Sequence, residues 1–165
     1  LDRSFYVGEN TSVLSRCFIV LFFFSQMFHS ILVLNVDRVK PRLLKFAKAV
    51  YESGAPLTHY WGFIDGLVRG IARPVRFQRL FYSGHERKHA TKFQGVLTPD
   101  GIFVDLWGPV SGTRHDTYIL AQSGLMQKFA TLSSPSGHPY CLCGDPAYGI
   151  SNHIVCPFRA ASVGP

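Results

Sequence analysis

The first contrast along the chain is between a run with no formal charge and the charged stretch that follows it. Residues 17–36, CFIVLFFFSQMFHSILVLNV, hold no Asp, Glu, Lys or Arg over 20 positions, about the length that crosses a bilayer as a helix. Arg16 flanks it on one side and Arg38, Lys40 and Arg42 on the other. A helix buried on all sides of a globular domain reads the same way, and Gln26, His29 and Asn35 are costly in lipid. A buried helix is therefore the expectation, with a membrane span as the alternative. In DRVKPRLLKFAKAVYESG, apolar Leu43, Leu44, Ala47, Val50 and Tyr51 recur at helical spacing, while Arg42, Lys45 and Lys48 fall on another face. Pro41 suits the first turn and Gly54 the C-terminal cap. This predicts an amphipathic helix with a basic side.

After GAPLTHY the pattern changes from helical spacing to short apolar runs. YWGFID predicts a strand ending at Asp65, PVRFQRLFYSG an alternating strand through Val75, Phe77 and Arg79, and KFQGVLTPDGIFVDLWG two strands about a TPDG turn. SGTRHDTYILAQSGLMQKF predicts a loop feeding a helix, with Asp116 at or near its N-cap and apolar Tyr118, Ile119, Leu120, Leu125 and Met126. SSPSGHP is a loop, YCLCG a buried strand that ends at Asp145, and NHIVCPF a further short element. Antiparallel strands followed by a helical crossover to another strand imply a mixed α/β sheet with helices on its faces. No internal repeat is visible.

Length and composition narrow this picture. With 165 residues, 47% of them hydrophobic, the chain has material for one domain with a sizeable core. Lys and Arg number 17 against 10 acids, for a formal charge of +7. The excess is local. Seven basic residues (Arg69, Arg73, Arg76, Arg79, Arg87, Lys88 and Lys92) and one acid, Glu86, lie between Gly66 and Lys92, whereas residues 101–165 carry three of each sign. A clustered excess favours a polyanion-binding face over uniform solubility, with a solvated surface as the bland alternative. The four cysteines, Cys17, Cys141, Cys143 and Cys156, are too few for a disulfide framework, so reduced thiols in an intracellular compartment are expected. A zinc site from His138, Cys141, Cys143, His153 and Cys156 is the alternative, although its close pair is Cys-x-Cys and not Cys-x-x-Cys.

Two aspartates at strand ends change the chemical picture most. A carboxylate there is held by a rigid element yet stays accessible, as a catalytic metal ligand requires. Asp65 and Asp145 on neighbouring strands would converge on one point, and paired carboxylates suit Mg2+ or Mn2+ in phosphodiester chemistry. A lone strand-end aspartate is otherwise a turn or cap residue.

The motifs WGFIDG, IARP, FYSGHERKHATKFQGVLTPDG, GPVSGTRHD and GDPAYG, followed by CPFRAA, occur in order over residues 54–160. Together they resemble the DDE-type, transposase-derived nucleases of the PIF/Harbinger class. More faintly, SVLSRCF and VDRVKPRLLKFAKAVYESGAP resemble the helical region that precedes the nuclease domain. The resemblance implies an RNase H-like fold over residues 54–165, preceded by a helical segment over residues 1–53. It implies that Asp65 and Asp145 are the first two catalytic, metal-binding carboxylates. In the family the third is a glutamate on a later helix, and no acid follows Asp145 in this sequence. Leu67 stands where the family has threonine, and Gly149 where it has proline.

From this likeness we expect a divalent-metal-dependent DNA endonuclease or strand-transferase domain in an incomplete, inactive copy. The alternative is a non-catalytic DNA-binding or interaction remnant. Asp116, with His115 beside it, either caps its helix or supports the metal site. Arg69, Arg73, Arg87, Lys88 and Lys92 are the expected DNA-phosphate contacts, since basic side chains outside a recognition helix mainly position the backbone. A Myb-like DNA-binding companion and a nuclear location are likewise implied, with no small-molecule cofactor.

Overall fold

The computed structural model describes residues 33–135 and 137–157. Most of the charge-free run, and with it the choice between a buried helix and a membrane span, lies outside the described residues. Among the described residues no helix is long and apolar enough to cross a membrane.

The basic amphipathic stretch forms two helical pieces. Helix α1 (Val36–Val39) is capped by the side chain of Asn35, which accepts the Arg38 N–H at 3.2 Å. A 3-10 turn over Lys40–Arg42 contains Pro41 and leads into α2 (Leu43–Glu52). The buried stripe of α2 is Leu43, Phe46, Ala47 and Val50. Leu44 and Tyr51, assigned to the apolar stripe from the sequence, are 62% and 50% exposed. Steps of three and four from Leu43 lead to Phe46, Ala47 and Val50, and leave Leu44 and Tyr51 to one side.

Six strands make one mixed sheet. Strand β1 (Tyr60–Gly70) is its centre. A short helix α3 (Gln78–Phe81) leads to β2 (Tyr82–Ser83), then β3 (Lys88–Leu97) and β4 (Phe103–Ser111). Helices α4 (Asp116–Ser123) and α5 (Leu125–Phe129) cross to β5 (Cys141–Gly144), and after a 3-10 turn at Pro146–Tyr148 the chain reaches β6 (Ile154–Val155). Antiparallel pairing joins β4 to β3, β2 to the start of β3, and β3 to β1; parallel pairing joins β1 to β5 and β5 to β6. This mixed sheet with flanking helices is the architecture expected of an RNase H-like fold.

Two strand assignments change. Strand β1 does not stop at Asp65 but continues to Gly70, because Gly66 to Gly70 pair with Gln94 to Ala90 of β3. Long-range pairing thus extends the strand past the end of its apolar run. The stretch from Val75 to Ser83 is not an alternating strand. Val75 and Phe77 are exposed at 79% and 76% with no sheet to cover them, and only Tyr82 and Ser83 pair with β3. The TPDG turn is as expected: the Gly101 N–H donates to the Thr98 carbonyl at 2.9 Å, and Gly101 takes φ 80°.

The helices cover one face of the sheet. Ile64 and Val96 are opposite each other in register, as are Leu142 and Ile154, and all four share a core with Leu43, Phe46, Leu125 and Phe129. Trp61 is completely buried there and meets the Phe129 ring edge-on at 5.8 Å. Burying a side chain of this size stabilises the fold by about 1.5–3 kcal/mol. On the face where Asp65 stands opposite Gly95, Phe63, Leu67 and Phe103 remain partly exposed.

Candidate active site

Parallel pairing between β1 and β5 carries the two sequence-predicted aspartates to the same level of neighbouring strands. Phe63 pairs with Cys143 and Ile64 with Gly144, so the next step of the register sets Asp65 level with Asp145. Adjacent strands are about 4.8 Å apart. Both residues are exposed. Each is also held by its own backbone: Asp65 Oδ1 accepts the Gly66 N–H at 2.7 Å, and Asp145 Oδ1 accepts the Ala147 N–H at 2.7 Å as the N-cap of the 3-10 turn. One oxygen of each carboxylate thus fixes the rotamer and leaves the other available. Asp145 ends its strand as expected. Asp65 lies inside β1, at the end of that strand's pairing with β5.

A further acid comes from the helix layer and packs on the face of β1 opposite to the Asp65 side chain. Asp116 is the first residue of α4, with His115 at the N-cap position making no side-chain capping bond. Asp116 is therefore inside the helix and not its cap. Its carboxylate packs on the backbone of β1, where a Cβ at Gly66 would lie 2.7 Å from Asp116 Oδ1. Lys92 of β3 donates to the same oxygen at 3.2 Å, and both side chains are largely shielded. His115 is exposed.

Tyr148 lies behind the carboxylates, 5% exposed, with a buried hydroxyl that has no hydrogen-bond partner. Burial raises its pKa, and the negative charges of Asp116, Asp65 and Asp145 raise it further. The field of all three acids thus reaches one phenol. Even so, among the described residues no three His, Cys, Asp or Glu side chains are close enough to hold a metal ion together.

The same geometry removes the zinc alternative among the described residues. Cys156 Sγ donates to the carbonyls of Asp145 and Gly149, Cys141 Sγ to those of Pro139 and Asn152, and His153 Nδ1 lies 3.1 Å from the Tyr140 carbonyl oxygen. These groups serve the local backbone and do not converge on a common point. Cys141, Cys143 and Cys156 are free thiols, while Cys17 lies outside the described residues.

Residues 64–163 match the family described as DDE superfamily endonuclease. That span is more than half of the chain and holds both Asp65 and Asp145. The chain belongs to this family. No curated protein and no solved structure matches it.

Members of the DDE endonuclease family typically use divalent metal ions, and the donor chemistry here is compatible with that. Asp65 and Asp145 offer hard carboxylate oxygens, each with one oxygen outside its backbone hydrogen bond, as Mg2+ and Mn2+ prefer. They amount to part of a coordination sphere, which water commonly completes around such ions.

The basic residues of this endonuclease domain divide into two sets. Lys92 is committed to Asp116, and Lys88 lies 3.0 Å from Glu86 Oε2. Arg73 donates twice to the Gln78 side chain. Arg69 and Arg87 are exposed and have no acidic partner among the described residues. Sequence reasoning missed Tyr148, the counter-charge role of Lys92 and the buried Asp105. A tyrosine three residues after Asp145 gives no signal of its own, because only the turn at Pro146 to Tyr148 folds it back.

Proposed function

We propose that the chain is a transposase-derived nuclease domain of the PIF/Harbinger class, acting on DNA phosphodiester bonds through a divalent cation held by Asp65 and Asp145. The observation that supports this best is the register of β1 on β5, whose last pair, Ile64 with Gly144, immediately precedes the two aspartates. A bound Mg2+ or Mn2+ would polarise the phosphate and activate the attacking oxygen. The chain's own residues have simpler tasks. The backbone N–H groups of Gly66 and Ala147 hold the two carboxylates in place. Lys92 neutralises Asp116 where it packs on β1. Arg69, Arg73, Arg87 and Lys88 are the surface toward which the DNA backbone is drawn. A Myb-like companion protein and a nuclear location complete this reading.

Calorimetric titration with Mn2+ tests the site. Asp65→Asn and Asp145→Asn are each expected to weaken binding about tenfold or more, because each removes one of two charged donors. Equal affinity in the parent and both variants would sink the assignment.

A second reading is a DNA-binding remnant without cleavage, supported by the exposed Arg69 and Arg87, which have no acidic partner among the described residues. Nicking of supercoiled plasmid with Mn2+ separates the two. Cleavage that disappears in Asp145→Asn supports the enzyme, and no cleavage supports the remnant.

A further inference from the structure

The segment between β1 and β2 combines two features that a merely solvated loop lacks. Val75 and Phe77 are 79% and 76% exposed, and Leu80 is 47% exposed. Around them stand the exposed Arg69, Arg73, Arg76 and Arg79, and no Asp or Glu occurs from residue 66 to residue 85. The segment is anchored. The Ile71 N–H donates to the His89 carbonyl at 2.9 Å, Arg73 donates through Nε and Nη2 to Gln78 Oε1 at 3.1 and 2.9 Å, and the Ser111 hydroxyl donates to the Leu80 carbonyl. Phe77 itself has φ 58°, in the left-handed region that bulky residues seldom adopt. Backbone held in such a region gathers at ligand clamps and switch segments.

Bare apolar side chains gain nothing from water, and a surface with only positive charge between them selects a polyanion. Nucleic acid meets both conditions at once. Aromatic rings stack on exposed bases while arginines hold the phosphates, and apolar side chains wedge into opened base steps.

We propose that this segment is a nucleic-acid clamp, in which Phe77 and Val75 pack against an unpaired or unstacked base while Arg69, Arg76 and Arg79 hold the flanking backbone. The proposal rests on the reading of the chain as a DNA endonuclease with Asp65 in its site. Strand β1 runs five residues from Asp65 to Gly70, about 17 Å at a rise of about 3.3 Å per residue. The segment that carries Val75 and Phe77 therefore begins about 17 Å along β1 from Asp65. The preferred substrate is therefore a duplex with a frayed, overhanging or mismatched position.

Fluorescence anisotropy in EDTA tests this apart from any metal chemistry. The probes are a blunt duplex and the same duplex with a single-stranded overhang carrying 2-aminopurine. Phe77→Ala is expected to weaken binding to the overhang about 5- to 50-fold, to leave the blunt duplex within about twofold, and to abolish the change in 2-aminopurine emission. Its salt dependence should match the parent's, because no charge has been removed. Arg76→Ala with Arg79→Ala should instead lower the salt slope on both probes by up to about 2. All three substitutions are at exposed positions outside the core. If Phe77→Ala binds both probes as the parent does, the clamp is overturned while the metal site at Asp65 and Asp145 stands on its own titration. If Phe77→Ala changes only the sedimentation of the chain, the patch is a protein interface and the clamp is likewise overturned. A parent that binds neither probe at low salt overturns the clamp together with the DNA reading.

Discussion

Gly66 is the position at which one missing atom makes room for Asp116. A Cβ there would lie 2.7 Å from Asp116 Oδ1 and 3.2 Å from Asp116 Cγ, so Gly66→Ala must push the carboxylate away from β1 and from Lys92. The obstacle is the end of a side chain and not backbone, so the fold survives. A loss of about 1–2 kcal/mol is expected, as for other overpacked positions, measured by urea unfolding. A double-mutant cycle identifies the cause: in an Asp116→Ala background the space is already open, and Gly66→Ala should cost less by about 0.5 kcal/mol or more. Strict additivity would mean that the two residues do not press on one another. At this scale the sequence was legible where chemistry is carried by position along a strand. Asp65 and Asp145 could be picked out because each follows an apolar run. Asp116 was noticed but read first as a cap, since its contact with Gly66 depends on how α4 lies across β1, which no local pattern encodes.

Among the elements, α2, the TPDG hairpin and β5 were readable because local propensity and tertiary packing agree there. The segment from Val75 to Ser83 was misread for the opposite reason. Its alternation of apolar and basic residues matches a strand, yet its apolar side chains have no sheet to cover them and remain exposed. Strand β1 was read too short because its apolar run ends at Asp65, whereas β3 supplies partners for the whole stretch to Gly70. Asp105 on β4 gave no signal at all, and it ties β4 to α5 and to the chain ahead of α1. Its Oδ1 accepts the Leu34 N–H at 2.8 Å and lies 3.5 Å from Lys128 Nζ of α5, while the residue is only 3% exposed. Burial raises its pKa, and the Leu34 N–H and Lys128 only partly offset this. The folded chain therefore holds this proton more tightly than the unfolded chain. Stability should fall as pH climbs from the ordinary carboxylate range, about pH 4, through the raised folded value, and that loss is absent at lower pH. Asp105→Asn keeps an acceptor for the Leu34 N–H and has no charge to bury, so its stability should vary less with pH in that window than the parent's. Asp105→Ala leaves the N–H unpaired and is expected to lose about 1–3 kcal/mol. Urea unfolding of the three proteins across that pH range is the measurement, and parallel curves for Asp105→Asn and the parent would exclude Asp105 as the titrating group.

For the whole molecule, the decisive quantity is where the +7 charge remains available to a partner. Counting basic residues between Gly66 and Lys92 treats them alike, but the fold does not. Lys92 faces Asp116 with its side chain only 17% exposed, whereas Arg69 and Arg87 stand on the surface without an acidic partner among the described residues. Each phosphate contact by a cationic side chain releases counterions and adds about 0.9 to the slope of log affinity against log salt. Replacing both Arg69 and Arg87 with alanine should therefore lower the slope for non-specific duplex DNA by up to about 2. Lys92→Ala should leave the slope nearly unchanged, and should instead destabilise the fold, because Asp116 would be left beside β1 without its counter-charge. Anisotropy titrations over a salt series, paired with urea unfolding, check both halves. A Lys92→Ala protein of parental stability with a slope reduced by about 1 would show that the lysine leaves Asp116 for a phosphate. The ion pair seen here would then be a resting arrangement of a DNA contact.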